Sequence, residues 1–130
     1  MEKLARIAVL LIGLAMLAGA LGFGFAPQLM ERDFAVVASR VEGLGTLRAD
    51  LGGTFLSLAI CAFLSLRRAQ SQWLNVPILF MGAFLLLRTV HLLVDGVTHP
   101  GLRSFIVEVI LIATLAWARR VFVKSADTSI

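Results

Sequence analysis

Charge is what this chain has little of: 15% of its 130 residues are Asp, Glu, Lys or Arg, against roughly 25% in an ordinary soluble domain. With 59% of the residues apolar, that scarcity excludes a water-soluble globular fold. Cysteine is scarcer still. The single Cys61 excludes an internal disulfide framework and a Cys-rich zinc site. Of the two histidines, only His91 falls inside an apolar segment, which argues against a bis-His haem within one protomer. No nucleophile stands beside a base, and neither a phosphate-binding loop nor a dinucleotide fingerprint is present. Gly43 and Gly45 before Thr46, and the Gly52, Gly53 pair, are too isolated to serve as one. The excess of positive charge is not a nucleic-acid footprint, because no polar domain exists to carry it.

Apolar residues make up the rest. About 77 of them would fill most of four helical spans of roughly 20 residues each, the length that crosses about 30 Å of hydrocarbon. The expected fold is therefore all-α, a polytopic membrane four-helix bundle formed by one domain over residues 1–130. Charge, Pro and Gly bound the segments near 4–26, 48–66, 73–95 and 102–123. Between the first two, residues 28–47 read as a loop whose mixed stretch around Phe34, Val36, Val37 and Val41 suits a short interfacial helix. The first segment resembles a secretory signal in its Lys3, Arg6 start and its Ala18, Gly19, Ala20 run. Its apolar length exceeds a signal core, so a retained first helix is expected. Small residues (Ala15, Ala18, Gly19 and Gly22 there, and Gly53, Ser57, Cys61 and Ser65 in the second segment) suit close helix contact.

Lysine and arginine set the expected orientation. Lys3, Arg6, Arg67, Arg68, Arg119, Arg120 and Lys124 fall on one side, and Arg32, Arg40, Arg48 and Arg103 on the other. Positive residues favour the cytoplasm, so both termini are expected there, in a bacterial inner membrane.

Six ionisable residues fall in or beside the spans, all in the outward half: Arg48, Asp50, Arg88, His91, Asp95 and Glu108. Each costs a few kcal/mol or more in hydrocarbon and asks for a partner. Arg88, His91 and Asp95 follow i, i+3, i+7 spacing with Met81 and Phe84 on the same stripe, so that stripe is expected to line the interior. Glu108 is the expected partner of Arg88, with Asp50 or Asp95 able to share the cation. Arg48 and Arg88 against Asp50, Asp95 and Glu108 leave one excess negative charge, which a proton on His91 would balance. The group reads either as a buried ion-pair network fixing helix register or as a polar pocket for a cation, a proton or the head of a lipophilic molecule. A metal held by His91, Asp95, His99 and Glu108 is a third reading, weakened by Gly96 and Pro100 between the ligands.

The run Arg48, Ala49, Asp50, Leu51, Gly52, Gly53, followed by Arg88 and by Asp95, Gly96, resembles the family known as domain of unknown function 4345, small four-helix bacterial membrane proteins with a DoxX-like layout. That resemblance implies a four-helix integral membrane protein, draws attention to Asp50, Gly52, Gly53, Arg88, Asp95 and Gly96, and supplies no activity. Through the DoxX-like group it raises the prospect of an accessory subunit near a quinone. The combined expectation is a non-enzymatic membrane protein, an accessory or scaffold subunit or a binder of a small lipophilic, quinone-like molecule. The bilayer, a membrane-protein partner or a second copy, and a lipophilic ligand are its expected partners. A small proton-coupled transporter acting as an oligomer is the alternative. A membrane enzyme using His91 and a carboxylate in acid–base work is a third possibility.

Overall fold

In a computed structural model, which describes residues 1–67 and 70–127, the described residues form helices joined by short links, with no strand among them. Arg68, used above to judge orientation, lies outside the described residues. Helix α1 spans Glu2–Phe25. It ends at Ala26 because Pro27 follows, and a residue before proline is pushed away from helical backbone. Pro27 then opens the short helix α2, Pro27–Phe34, at the position where its missing N–H costs nothing. A short helix thus does form in this loop, taking in Glu31–Phe34 of the mixed stretch and leaving Val36 and Val37 outside it.

Helix α3, Val41–Ser65, begins well before Arg48. Gly43 and Gly45 disfavour helix by about 1 kcal/mol each, yet they sit in its opening turns and the apolar residues beyond carry the helix through. Its segment Leu47–Gly52 is wound as a π-helix, a wide turn that often marks a functional or strained position. Gly52 is buried there against α1, where an added Cβ would lie 3.5 Å from the Gly24 backbone nitrogen and the Phe23 Cβ.

Helix α4, Ser71–Val94, starts with one 3₁₀ turn. Helix α5 runs over His99–Asp127 and begins earlier than Leu102. Thr98 caps it, its Oγ1 accepting a hydrogen bond from the Gly101 N–H at 3.2 Å, and Pro100 falls in the first turn, where no N–H is needed. His99 therefore belongs to the first turn of a helix. Three helices, Glu2–Phe25, Val41–Ser65 and Ser71–Val94, are long and apolar enough to cross a membrane.

The core lies in the half of the bundle that carries both chain ends. Ala5, Val9, Ile12 and Met16 of α1 pack with Leu58, Ala59 and Ala62 of α3, Leu74 and Met81 of α4, and Leu115, Ala118 and Phe122 of α5. Arg6 locks that end: its guanidinium donates to Glu2 Oε1 at 2.9 Å and to the Leu66 carbonyl at 2.7 Å, and it lies 5.7 Å from the Phe122 ring centre. Glycines on α1 act as seats for large side chains. A Cβ on Gly13 would stand 2.6 Å from the Phe63 ring, and one on Gly19 would stand 3.1 Å from Phe55. Gly22 seats Met30 of α2 in the same way. Ala15 and Ala18, expected to share this role, point outward instead, while Cys61 and Ser65 of α3 are buried and Ser57 is exposed.

Candidate functional site

Beyond the core, protein covers the two helix groups unequally. On one side α1, α2 and α3 close around Phe23, Phe34 and Phe55, whose ring centres lie 4.9 to 5.9 Å apart. On the other side α4 and α5 form a hairpin turned by Asp95–Thr98. Asp95 bonds back through its backbone N–H to the His91 carbonyl, and Gly96 takes a φ of +100°, which favours glycine because it has no Cβ. No residue of α4 after Met81 is buried by protein, and within the first half of α5 only Gly101 and Glu108 are.

Glu108 is the buried charge of this hairpin, 8% exposed. Its Oε1 accepts a hydrogen bond from Arg88 Nε at 2.9 Å, joining α4 to α5. The Arg88 side chain is 33% uncovered by protein. Arg88 lies six residues before the end of α4, which at 1.5 Å per residue places it about 9 Å inside that end. The other carboxylate oxygen, Glu108 Oε2, is buried without a hydrogen-bond partner. Such an atom retains most of its desolvation cost and calls for a donor or a proton. The hydroxyls nearby make no such demand: Thr89 donates to the Leu85 carbonyl and Thr114 to that of Ile110, each within its own helix.

One turn nearer the Asp95–Thr98 turn than Arg88, His91 Nδ1 lies 2.8 Å from Asp95 Oδ2, with side chains 46% and 62% exposed. Two of the six expected site residues stand apart. Arg48 and Asp50, on the π-wound turn of α3, are exposed and form no ion pair among the described residues. The expected stripe on α4 divides with depth. Met81 is buried and Phe84 and Arg88 are partly buried, while His91 and Asp95 are exposed. Nor do His91, Asp95, His99 and Glu108 converge, and among the described residues no group of three or more His, Cys, Asp or Glu side chains is placed to hold a metal.

The π-helical turn in α3 is what sequence reading missed here. Its only signal is the Gly52, Gly53 pair, which is compatible with many backbone forms. The chain matches no family model, no curated protein and no solved structure, so the site is read from its own geometry.

Proposed function

We propose that this chain is a small integral protein of the bacterial inner membrane that crosses it four times with both termini in the cytoplasm. Its role there is non-enzymatic: an accessory or scaffold subunit whose outward half holds a small lipophilic molecule with a polar, quinone-like head. The observation that carries this reading is the unsatisfied Glu108 Oε2 beside a partly uncovered Arg88. A register-fixing pair gains most when both carboxylate oxygens meet the guanidinium. Here one oxygen is left over, so a ligand hydroxyl or a protonated head finds an acceptor and a carbonyl finds Arg88.

Four crossings are supported by the length of α5 and by its run Ser104–Ala118, in which Glu108 is the sole charge. The Lys and Arg count supports the orientation. The resemblance to the domain of unknown function 4345 family is in keeping with the layout. His91 and Asp95 sit at the mouth of the site, where they meet water or headgroups. A second reading, a proton-coupled transporter working as an oligomer, draws on the same atom, since a buried unpaired carboxylate oxygen is also a place to carry a proton.

Thermal unfolding of the purified protein in detergent, with and without a short-chain benzoquinone, tests the first reading. A ligand at about a hundred times its dissociation constant stabilises by roughly 2.7 kcal/mol. The wild type is expected to gain several degrees and Glu108→Gln to gain none. An unshifted wild type rules out the quinone-like head, and equal shifts in both proteins rule out Glu108 as its contact.

A further inference from the structure

The opposite end of the bundle carries a second polar feature, far from Arg88 and Glu108. A cavity of about 600 Å³ opens there between the start of α1 and the end of α5. Arg119, Arg120 and Lys124 line it together with Met1, Val121 and Val123. No acidic side chain lines it among the described residues. Glu2 is held by Arg6 at 2.9 Å and also bonds the side chain of Ser125, a further lining residue, while Lys124 is itself engaged in an interaction. Arg119 Nε is buried and has no hydrogen-bond partner.

We propose that this cavity receives the phosphate of an anionic phospholipid from the leaflet on the terminus-bearing side, with Arg119 as its anchor. Arg119 is partly buried and its Nε–H lacks an acceptor, and phosphate oxygens fit a guanidinium in geometry and charge. Basic recesses between membrane helices on the cytoplasmic face are suited to such headgroups, and each cation near the surface strengthens the attraction. The apolar wall of Met1, Val121 and Val123 distinguishes a lipid from a free anion, since it offers a place for the first methylenes below the headgroup. The site shares only its membrane setting with the proposed ligand site and uses none of its residues.

Native mass spectrometry of the detergent-purified full chain tests the site. Phosphatidylglycerol, phosphatidylcholine and inorganic phosphate are each added to wild type, Arg119→Gln, the pair Arg120→Gln with Lys124→Gln, and Arg88→Met. Phosphatidylglycerol is expected to remain bound to the wild type and to Arg88→Met. Its affinity should fall about tenfold in Arg119→Gln and less in the double variant, while phosphatidylcholine binds weakly throughout. The double variant keeps the partly buried Arg119, so it reports on the site even if Arg119→Gln folds poorly. Equal retention of the two lipids by the wild type, or an unchanged affinity in both the Arg119 and the double variant, overturns the proposal. Binding of inorganic phosphate as tight as that of the lipid overturns the lipid assignment. Loss of phosphatidylglycerol from Arg88→Met alone also overturns it, since the binding would then belong to the other end.

Discussion

The two ends of this bundle solve the same problem in opposite ways. At the terminus-bearing end all four long helices meet: Val9, Leu58, Leu74 and Leu115, one from each, are almost wholly covered by protein, and Arg6 satisfies its donors on a carboxylate, a carbonyl and an aromatic face. At the far end little of the α4–α5 hairpin is covered by protein, and of the apolar stretch in α4 only 11% is buried, against 33% in each of the other two candidate spans. Leu86, Leu87, Leu93 and Val94 are all more than 60% exposed. One end is completed by the protein itself. The other leaves surface for something else to cover, and places its one buried carboxylate there with an oxygen unspent.

The contrast can be broken most sharply in the core. Leu58→Ala removes a side chain that is 1% exposed and should destabilise the protein by about 2–5 kcal/mol, read as a lower unfolding midpoint in detergent. Leu93→Ala, at 80% exposure, should change it by less than about 0.5 kcal/mol. A large loss in Leu93→Ala would mean that the α4–α5 hairpin is packed in solution, for example against a second copy. The next effect belongs to the polar pair. Arg88→Met strands Glu108 and should cost about 1–3 kcal/mol, below the roughly 3–5 kcal/mol expected when one partner of a fully buried pair is removed, because Arg88 is one-third uncovered. A cost at the upper limit or beyond would move the pair toward a register-fixing role.

Glycine substitutions sharpen the comparison at lower energy. Gly13→Ala forces the Phe63 ring to shift from an approach of 2.6 Å and should cost about 1–3 kcal/mol as overpacking. Gly82→Ala on α4 meets nothing within 4 Å and should stabilise by up to about 1 kcal/mol through helix propensity alone. A similarly small effect, about 0.3–0.5 kcal/mol, is expected at His91→Gln, because it breaks an exposed i, i+4 pair.

Much of this organisation is legible in the residues because a long apolar helix announces itself locally. The stretches around Leu4–Phe25 and Trp73–Val94 are recognisable from hydropathy and from their Pro, Gly and charged borders. The Arg88–Glu108 partnership follows from depth, since antiparallel neighbours joined by a short turn bring residues equally far from that turn side by side. What the sequence hides is how the four helices lean. The exposure of Arg48 and Asp50 accompanies a π turn, which leaves no periodic mark. The early starts of α3 and α5 are hidden for a related reason: Gly43, Gly45 and Pro100 read as breakers, but they sit in the opening turns, where the residues beyond carry the helix and a proline costs little. The seating of Phe63 on Gly13 is likewise a fact of tertiary packing. Glycine in an apolar span signals close approach without saying by what.

Whether the leftover oxygen of Glu108 belongs to a site decides between a ligand pocket and a structural pair. Solvent extraction of the purified, folded protein followed by mass spectrometry, for wild type and Arg88→Met side by side, tests this most directly. A lipophilic molecule with a carbonyl or hydroxyl head, recovered at near one per chain from the wild type and depleted at least several-fold in folded Arg88→Met, is the predicted result. Identical extracts from the two folded proteins, holding nothing but bulk lipid, would contradict it and leave Arg88 and Glu108 as a structural pair.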